Sequence, residues 1–302
     1  MNVSVIIPTL NAEKYITELI MSLKGQSLPP FEIIVVDSAS GDRTAEIARE
    51  RGCTVITVDR AKFNHGGARN LGATASQGEV MVFLTQDALP INNNLLQNLV
   101  APLTTNPEVA ASFGRHIARS DAVPPEKFAR LFNYPDLPMI KDKEDLPRLG
   151  IKTFFFSNVC SAIKKSSFEA VDRFPERALT NEDMAIAAKL VFKGYKLAYV
   201  PEAAVWHSHN YSVPHYFRRY FDIGAFMSSN EWFKGYSKTE SEGLRFAKEQ
   251  LLYLFRNNYY RWIPYSIALT LAKFVGYKLG QMEDKLPVRI KRGLSLQKNF
   301  WR

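Results

Sequence analysis

Apolar residues recur in two alternating spacings through residues 1–210. Val3-Ser-Val-Ile-Ile-Pro8 is a compact apolar run, and Ile16, Leu19, Ile20 and Leu23 then repeat at helical spacing. Pro29-Pro30 ends that helix. Phe31–Val36 is a second strand, Thr44–Arg51 a helix closed by Gly52, and Thr54–Val58 a third strand. A fourth apolar run, Met81-Val-Phe-Leu84, leads into Thr85-Gln-Asp87, and Pro90 is expected to block further pairing in the sheet interior. Asn92–Leu103 reads as helix, Val109–Phe113 as a short strand and Thr153–Ile163 as a strand with a core Phe stripe. Met184, Ala187, Ala188 and Val191 mark a helix ended by Gly194, and Tyr195–Val200 is the last strand.

Strands that alternate with helices predict an α/β fold with a mainly parallel central sheet flanked by helices. Ligands of such sheets bind beyond the carboxyl ends of the strands, where Thr9, Asp37 and Asp87 all fall. From Tyr211 the alternation stops, and helices rich in aromatics, Arg and Lys follow over Val213–Phe233, Glu240–Arg256 and Tyr259–Gly280. The chain therefore divides into residues 1–210 and a basic, aromatic helical extension, 211–302. Asp121–Gly150 reads as irregular, and so long a segment in a compact domain marks a functional or mobile cover, here over the acceptor.

Composition narrows the partners. A net charge of +9 suits nucleic acid, anionic lipid or phosphorylated small molecules. Cys53 and Cys160 are too few for a disulfide framework, which points to a reducing cytosol. No basic leader precedes the first strand, and no apolar run approaches the roughly 18 to 20 residues of a membrane span. Tyr259–Gly276, interrupted by Arg261, Pro264 and Lys273, is expected to lie on a membrane or on another subunit. The tail adds Arg289, Lys291, Arg292, Lys298 and Arg302, suited to anionic headgroups.

Three stretches carry candidate chemistry. Phe63-Asn-His-Gly-Gly-Ala-Arg-Asn-Leu-Gly72 offers close backbone approach, a helix N-terminus near Ala68 and the Arg69 fork, yet matches neither a dinucleotide fingerprint nor a P-loop, which disfavours a dehydrogenase. Thr180-x-x-Asp183 reads as a near capping box, or Asp183 as a general base. His207 and His209 project to one face of an extended chain, suited to a metal or a diphosphate.

Taken in series, Val3-Ser-Val-Ile-Ile-Pro-Thr-Leu-Asn11, Ile33-Ile-Val-Val-Asp-Ser38, Ala68-Arg-Asn-Leu-Gly72, Phe83-Leu-Thr-Gln-Asp87, Glu182-Asp183, Gly194-Tyr-Lys-Leu-Ala-Tyr-Val-Pro201 and His207 resemble the inverting family 2 glycosyltransferases of the GT-A fold. Phe63–Asn70 and Thr85-Gln-Asp87 look most like the rhamnosyltransferase branch, which uses dTDP-rhamnose. The resemblance implies that Pro8, Thr9 and Asp37 line the nucleoside pocket, with Asp37 accepting from the base N3–H. It implies that Arg69, Asn70 and Gln86 lie by the nucleotide and that Asn158 and Glu182 lie near the sugars. Asp87 would bind Mg²⁺ or Mn²⁺ with His207, His209 being a further candidate ligand, and Asp183 would be the catalytic base. One departure stands out: Thr85 replaces the first acid of the family's Asp-x-Asp, which would weaken the metal site or shift part of its role to Arg69, His207 or Arg218-Arg219.

The implied activity is transfer of a sugar to a hydroxyl of a saccharide acceptor, lipid-linked, in polysaccharide biosynthesis. The expected place is the cytoplasm, peripheral on the inner membrane face, with a homodimer through the C-terminal helices as one arrangement. The alternatives are a transferase of the same fold using a UDP-hexose or UDP-HexNAc, and a non-catalytic nucleotide- or nucleic-acid-binding protein. The last is disfavoured, because paired acids at strand ends repel phosphates unless a metal intervenes.

Overall fold

The computed structural model describes residues 1–60, 63–236 and 239–301. Arg302, counted above among the cations of the tail, lies outside them. The chain runs β1 (Val3–Thr9), α1 (Glu13–Lys24), β2 (Glu32–Asp37), α2 (Thr44–Glu50), β3 (Thr54–Thr57), α3 (His65–Ala75), β4 (Val80–Leu84) and β5 (Leu89–Pro90). It continues with α4 (Leu95–Thr105), β6 (Val109–Ile117), α5 (Pro124–Asn133), β7 (Met139–Lys141), α6 (Leu146–Leu149), β8 (Cys160–Lys164), α7 (Lys165–Ala170), α8 (Glu182–Phe192) and β9 (Lys196–Trp206). Four further helices follow: α9 (Val213–Ser229), α10 (Thr239–Arg256), α11 (Ile263–Gln281) and α12 (Val288–Leu294).

Among the described residues these strands form one sheet in the order β3-β2-β1-β4-β8-β6-β9-β5, with β7 paired to β9. β1, β2, β3, β4, β6 and β9 point the same way, while β5, β7 and β8 run against them, so the sheet is mixed but mainly parallel. Alternation along each strand serves two cores. In β1, Ile6 faces a layer with Phe83, Phe113, Phe168 and Phe174. Val3, Val5 and Ile7 face the opposite layer with Ile16, Leu19, Leu99 and Leu103.

Several boundaries differ from those the sequence predicts. α3 begins at His65 rather than near Ala68, because Asn64 Oδ1 accepts from Gly67 N at 2.6 Å and caps it. Thr153–Ile163 is not one strand: Gly150–Phe154 is a 3-10 turn that drops Phe154 into the core, and pairing starts only at Cys160. Asp121–Gly150 is structured, with Pro124 and Pro125 opening α5 in the first turn, where proline costs no hydrogen bond. Pro90 lies outside the sheet interior, in the two-residue edge strand β5 opposite Val205, a position that tolerates proline.

α11 lies on α9 at very close range. A Cβ on Gly276 would come 2.3 Å from Phe217 O, one on Gly280 2.1 Å from Phe221 O, and one on Gly224 2.2 Å from Tyr277 O. Only glycine lets the two backbones approach so closely. This crossing turns one face of α11 inward. The other faces solvent.

Candidate active site

The parallel register sets Thr9 beside Asp37 at the carboxyl ends of β1 and β2. Thr9 Oγ1 donates to Asp37 Oδ1 at 3.0 Å, and Ser40 gives Asp37 both its N–H (2.9 Å) and its hydroxyl (2.6 Å). Gln86 closes this corner by accepting from Leu10 N at 2.8 Å and donating to Leu10 O at 3.2 Å. Pro8 pairs with Val36 one step back in the sheet. Four of the predicted nucleoside residues thus form one wall, with Asp37 buried at its base.

Pairing of Leu89 with Trp206 folds the segment after β4 back along β9, which brings Asp87 to His207 and His209. Asp87 Oδ1 lies 3.7 Å from His207 Nε2, Asp87 Oδ2 lies 3.2 Å from His209 Nε2, and the two Nε2 atoms are 3.1 Å apart. One ligand atom from each residue falls within 4.8 Å of the others. Burial opposes ionisation of Asp87, but the bond from His209, the fields of His207 and His209 and the Thr85 hydroxyl together outweigh it and hold the carboxyl well below the usual range. Burial pushes His207 down to about 3 against the pull of Asp87, leaving a neutral imidazole. An ionised carboxylate beside neutral imidazole is the protonation state a divalent cation needs. The donor set fits a metal.

A second acidic centre stands at the start of α8. Arg69, buried on α3, donates from Nη1 to Glu182 Oε1 at 2.7 Å. Burial alone would raise Glu182, but Arg69 and then His65 overcome it and hold its carboxyl low. Among the described residues its neighbour Asp183 makes no ion pair, and it feels Arg69 only at a distance. Burial first, and then the Glu182 charge, push Asp183 up to about 7, although Met184 N donates to it at 2.8 Å and Asn158 N at 3.4 Å. The capping-box alternative does not hold: α8 is capped by Asn181 in a left-handed conformation without a side-chain bond, and Thr180 bonds Asn181 instead. Two adjacent carboxyls with opposite shifts are the signature of divided acid and base roles.

Not every candidate faces an open site. Asn70 spends its amide on Phe174, donating to its O at 2.9 Å and accepting from its N at 3.1 Å, so it ties α3 to the chain before α8. Arg69 is engaged by Glu182 and His65 O. Asn158 is buried, its Oδ1 accepting from Ser161 Oγ at 3.1 Å. Arg219 bears electrostatically on His65 and Tyr211 from α9.

No sequence pattern singles out Arg119, which donates to Asp87 O at 2.7 Å and lies over the Tyr15 ring. It stands just past β6, at the same carboxyl edge as Asp87, so the strand-end rule would have found it once β6 was seen to run to Ile117. Glu126 was also missed. Buried on α5, it accepts from His209 N at 3.3 Å and pairs with Arg130. A ladder of stacked rings, His209–Tyr211 and Tyr211–His215, then carries the site toward α9.

Known proteins resemble the chain in sequence and in fold. The family described as Glycosyl transferase family 2 matches residues 4–172. The chain is 40% identical to the O-antigen chain rhamnosyltransferase RfbN of Salmonella typhimurium, covering 100% of this chain and 96% of that protein. It is also 40% identical to the O-antigen chain rhamnosyltransferase WbaN of Salmonella anatum, covering 99% and 95%. Among solved structures it resembles a Pyrobaculum calidifontis mannosyltransferase in complex with GDP-Man and Mn²⁺, with a TM-score of 0.61 at 19% identity over 94% of this chain and 88% of that one. A TM-score of 0.55, again at 19% identity, relates it to S. aureus TarS residues 1–349 in complex with UDP over 94% and 91%. These likenesses show a shared GT-A fold, and with the full-length relatives they establish that the chain belongs to glycosyl transferase family 2 and is a glycosyltransferase.

Proposed function

We propose that this enzyme transfers L-rhamnose from dTDP-β-L-rhamnose to a hydroxyl of a lipid-linked saccharide in cell-surface polysaccharide synthesis, with inversion at the anomeric carbon. The observation that carries this reading is the 40% identity to two O-antigen chain rhamnosyltransferases along essentially the whole of all three chains, helical extension included.

Asp37, Thr9, Pro8 and Gln86 hold the nucleoside, with Asp37 accepting from the N3–H that thymine and uracil share. Asp183 takes the proton of the acceptor hydroxyl as that oxygen bonds to the anomeric carbon. The bond from that carbon to the diphosphate breaks in the same displacement, and dTDP leaves with the electron pair. Asp87, His207 and His209 would hold Mn²⁺ or Mg²⁺ against the diphosphate. When bound, the cation neutralises charge that builds on the leaving group. Two imidazoles favour Mn²⁺, since Mg²⁺ prefers oxygen ligands. Nitrogen donors here offset the loss of a carboxylate at Thr85. Arg119 braces the Asp87 backbone.

Proton NMR of the product made from dTDP-β-L-rhamnose tests the reading. An α-rhamnoside is expected. A β-rhamnoside, or transfer from UDP-glucose or UDP-GlcNAc in its place, overturns it.

A further inference from the structure

The outward face of α11 is an apolar stripe interrupted by a single charge. Pro264, Ile267, Leu271, Phe274, Val275 and Met282 follow one another at helical spacing, and the last five are between 46 and 59% exposed. Lys278 is the one charged side chain on this stripe among the described residues, and its ammonium lies 5.9 Å from the Phe274 ring centroid. The glycine crossing with α9 uses the opposite face, so no part of the fold among the described residues covers the stripe. At 1.5 Å per residue, its 19 residues give a helix roughly 28 Å long. An apolar band of this length on a soluble surface marks a contact.

Charge around the stripe identifies what it contacts. Phe255–Arg302 holds ten Lys and Arg against two acids, eight of the nine net positive charges of the chain. Arg256 and Arg261 are exposed at one end of α11, and Lys285, Arg289 and Arg292 at the other, with Asp284 the exposed acid among them. A two-fold dimer through α11 would set cations against cations in either orientation, since both ends are basic. A surface of anionic headgroups suits both ends together. No helix among the described residues is long and apolar enough to cross a membrane.

We propose that α11 and α12 form a docking surface for an anionic lipid bilayer, with α11 lying flat in the interface, its apolar stripe among the acyl chains and the flanking arginines and lysine on the headgroups. The surface is joined to the candidate site by direct contacts. Tyr265, on α11, donates to Tyr211 O at 2.9 Å, and Tyr211 stacks on His209. Docking thereby holds the candidate metal site beside the membrane. The proposal stands on surface chemistry and does not rest on the identity of the donor.

Co-sedimentation of the full chain, without nucleotide, tests it against vesicles of phosphatidylethanolamine with phosphatidylglycerol and vesicles of phosphatidylcholine alone. Wild type is expected to pellet with the anionic vesicles at low salt and to be released by salt. Leu271→Glu with Phe274→Glu, and separately Arg289→Gln with Arg292→Gln, should each weaken binding about tenfold or more while melting like wild type. The proposal is overturned if wild type stays in the supernatant, if both double variants pellet as wild type does, or if light scattering shows a dimer that Leu271→Glu with Phe274→Glu dissolves.

Discussion

Arg69 Nη1 donates to Glu182 Oε1 at 2.7 Å across 113 positions of sequence, in a pair almost closed to solvent. That bond decides which of two adjacent carboxyls carries the mobile proton. Glu182 stays ionised on Arg69, and its charge adds to burial in raising Asp183 to about 7. A carboxyl poised there can accept a proton at neutral pH better than an ordinary aspartate.

Asp183→Asn should lower kcat by about 10²- to 10⁴-fold with donor binding retained. In wild type, kcat/KM should rise with pH and reach half its plateau near pH 7. A profile flat from pH 5 to 8 would show that another group takes the proton.

The same shift has a stability consequence. The folded-state pKa of Asp183, about 7, lies above its ordinary 3.8, so the folded state binds this proton more tightly than the unfolded chain. The resulting stabilisation is complete below the unfolded value and is lost as pH rises through the folded one. Asp183→Asn should therefore melt higher than wild type at pH 8, with the difference shrinking toward pH 5. Thermal melts at the two pH values check this, and an equal difference at both contradicts it.

Arg69→Met should be costly, because it strands a buried carboxylate. Removing one partner of a buried pair costs about 3–5 kcal/mol. Arg69→Met with Glu182→Gln should recover much of that loss in denaturant titrations, whereas additive losses would show that the pair is not coupled.

At the candidate metal site, His207→Ala and Asp87→Asn should each weaken Mn²⁺ binding, read by calorimetry, by roughly ten- to a hundredfold. His207→Ala should leave the melting temperature of the metal-free protein within a few degrees of wild type. Unchanged Mn²⁺ affinity in both variants would remove the cation from this site.

Much of this was legible in the chain. Buried strands that end in Thr9, Asp37 and Asp87 declare a mainly parallel sheet and the edge where its ligands are expected, because apolar periodicity and strand polarity are local properties. The grouping of Asp87 with His207 and His209 follows from the resemblance and not from local pattern, because it depends on β5 pairing with β9. The pairing of Arg69 with Glu182 was not readable, because it depends on α3 meeting α8. Asn70, which the resemblance sets by the nucleotide, gives its amide to Phe174, a partner that comes near only in the folded chain. The Thr153–Ile163 misreading came from Phe residues whose burial in a turn gives the same apolar signal as a strand.

The most direct measurement is a thermal-shift series with dTDP-rhamnose, UDP-glucose and UDP-GlcNAc, each with Mn²⁺ or EDTA, on wild type and Asp87→Ala. At 100 times its dissociation constant a ligand stabilises by about 2.7 kcal/mol, a rise of a few degrees. The account predicts the largest rise with dTDP-rhamnose and Mn²⁺, lost with EDTA and in Asp87→Ala. A larger rise with a UDP-sugar, or one indifferent to metal and to Asp87, would contradict it.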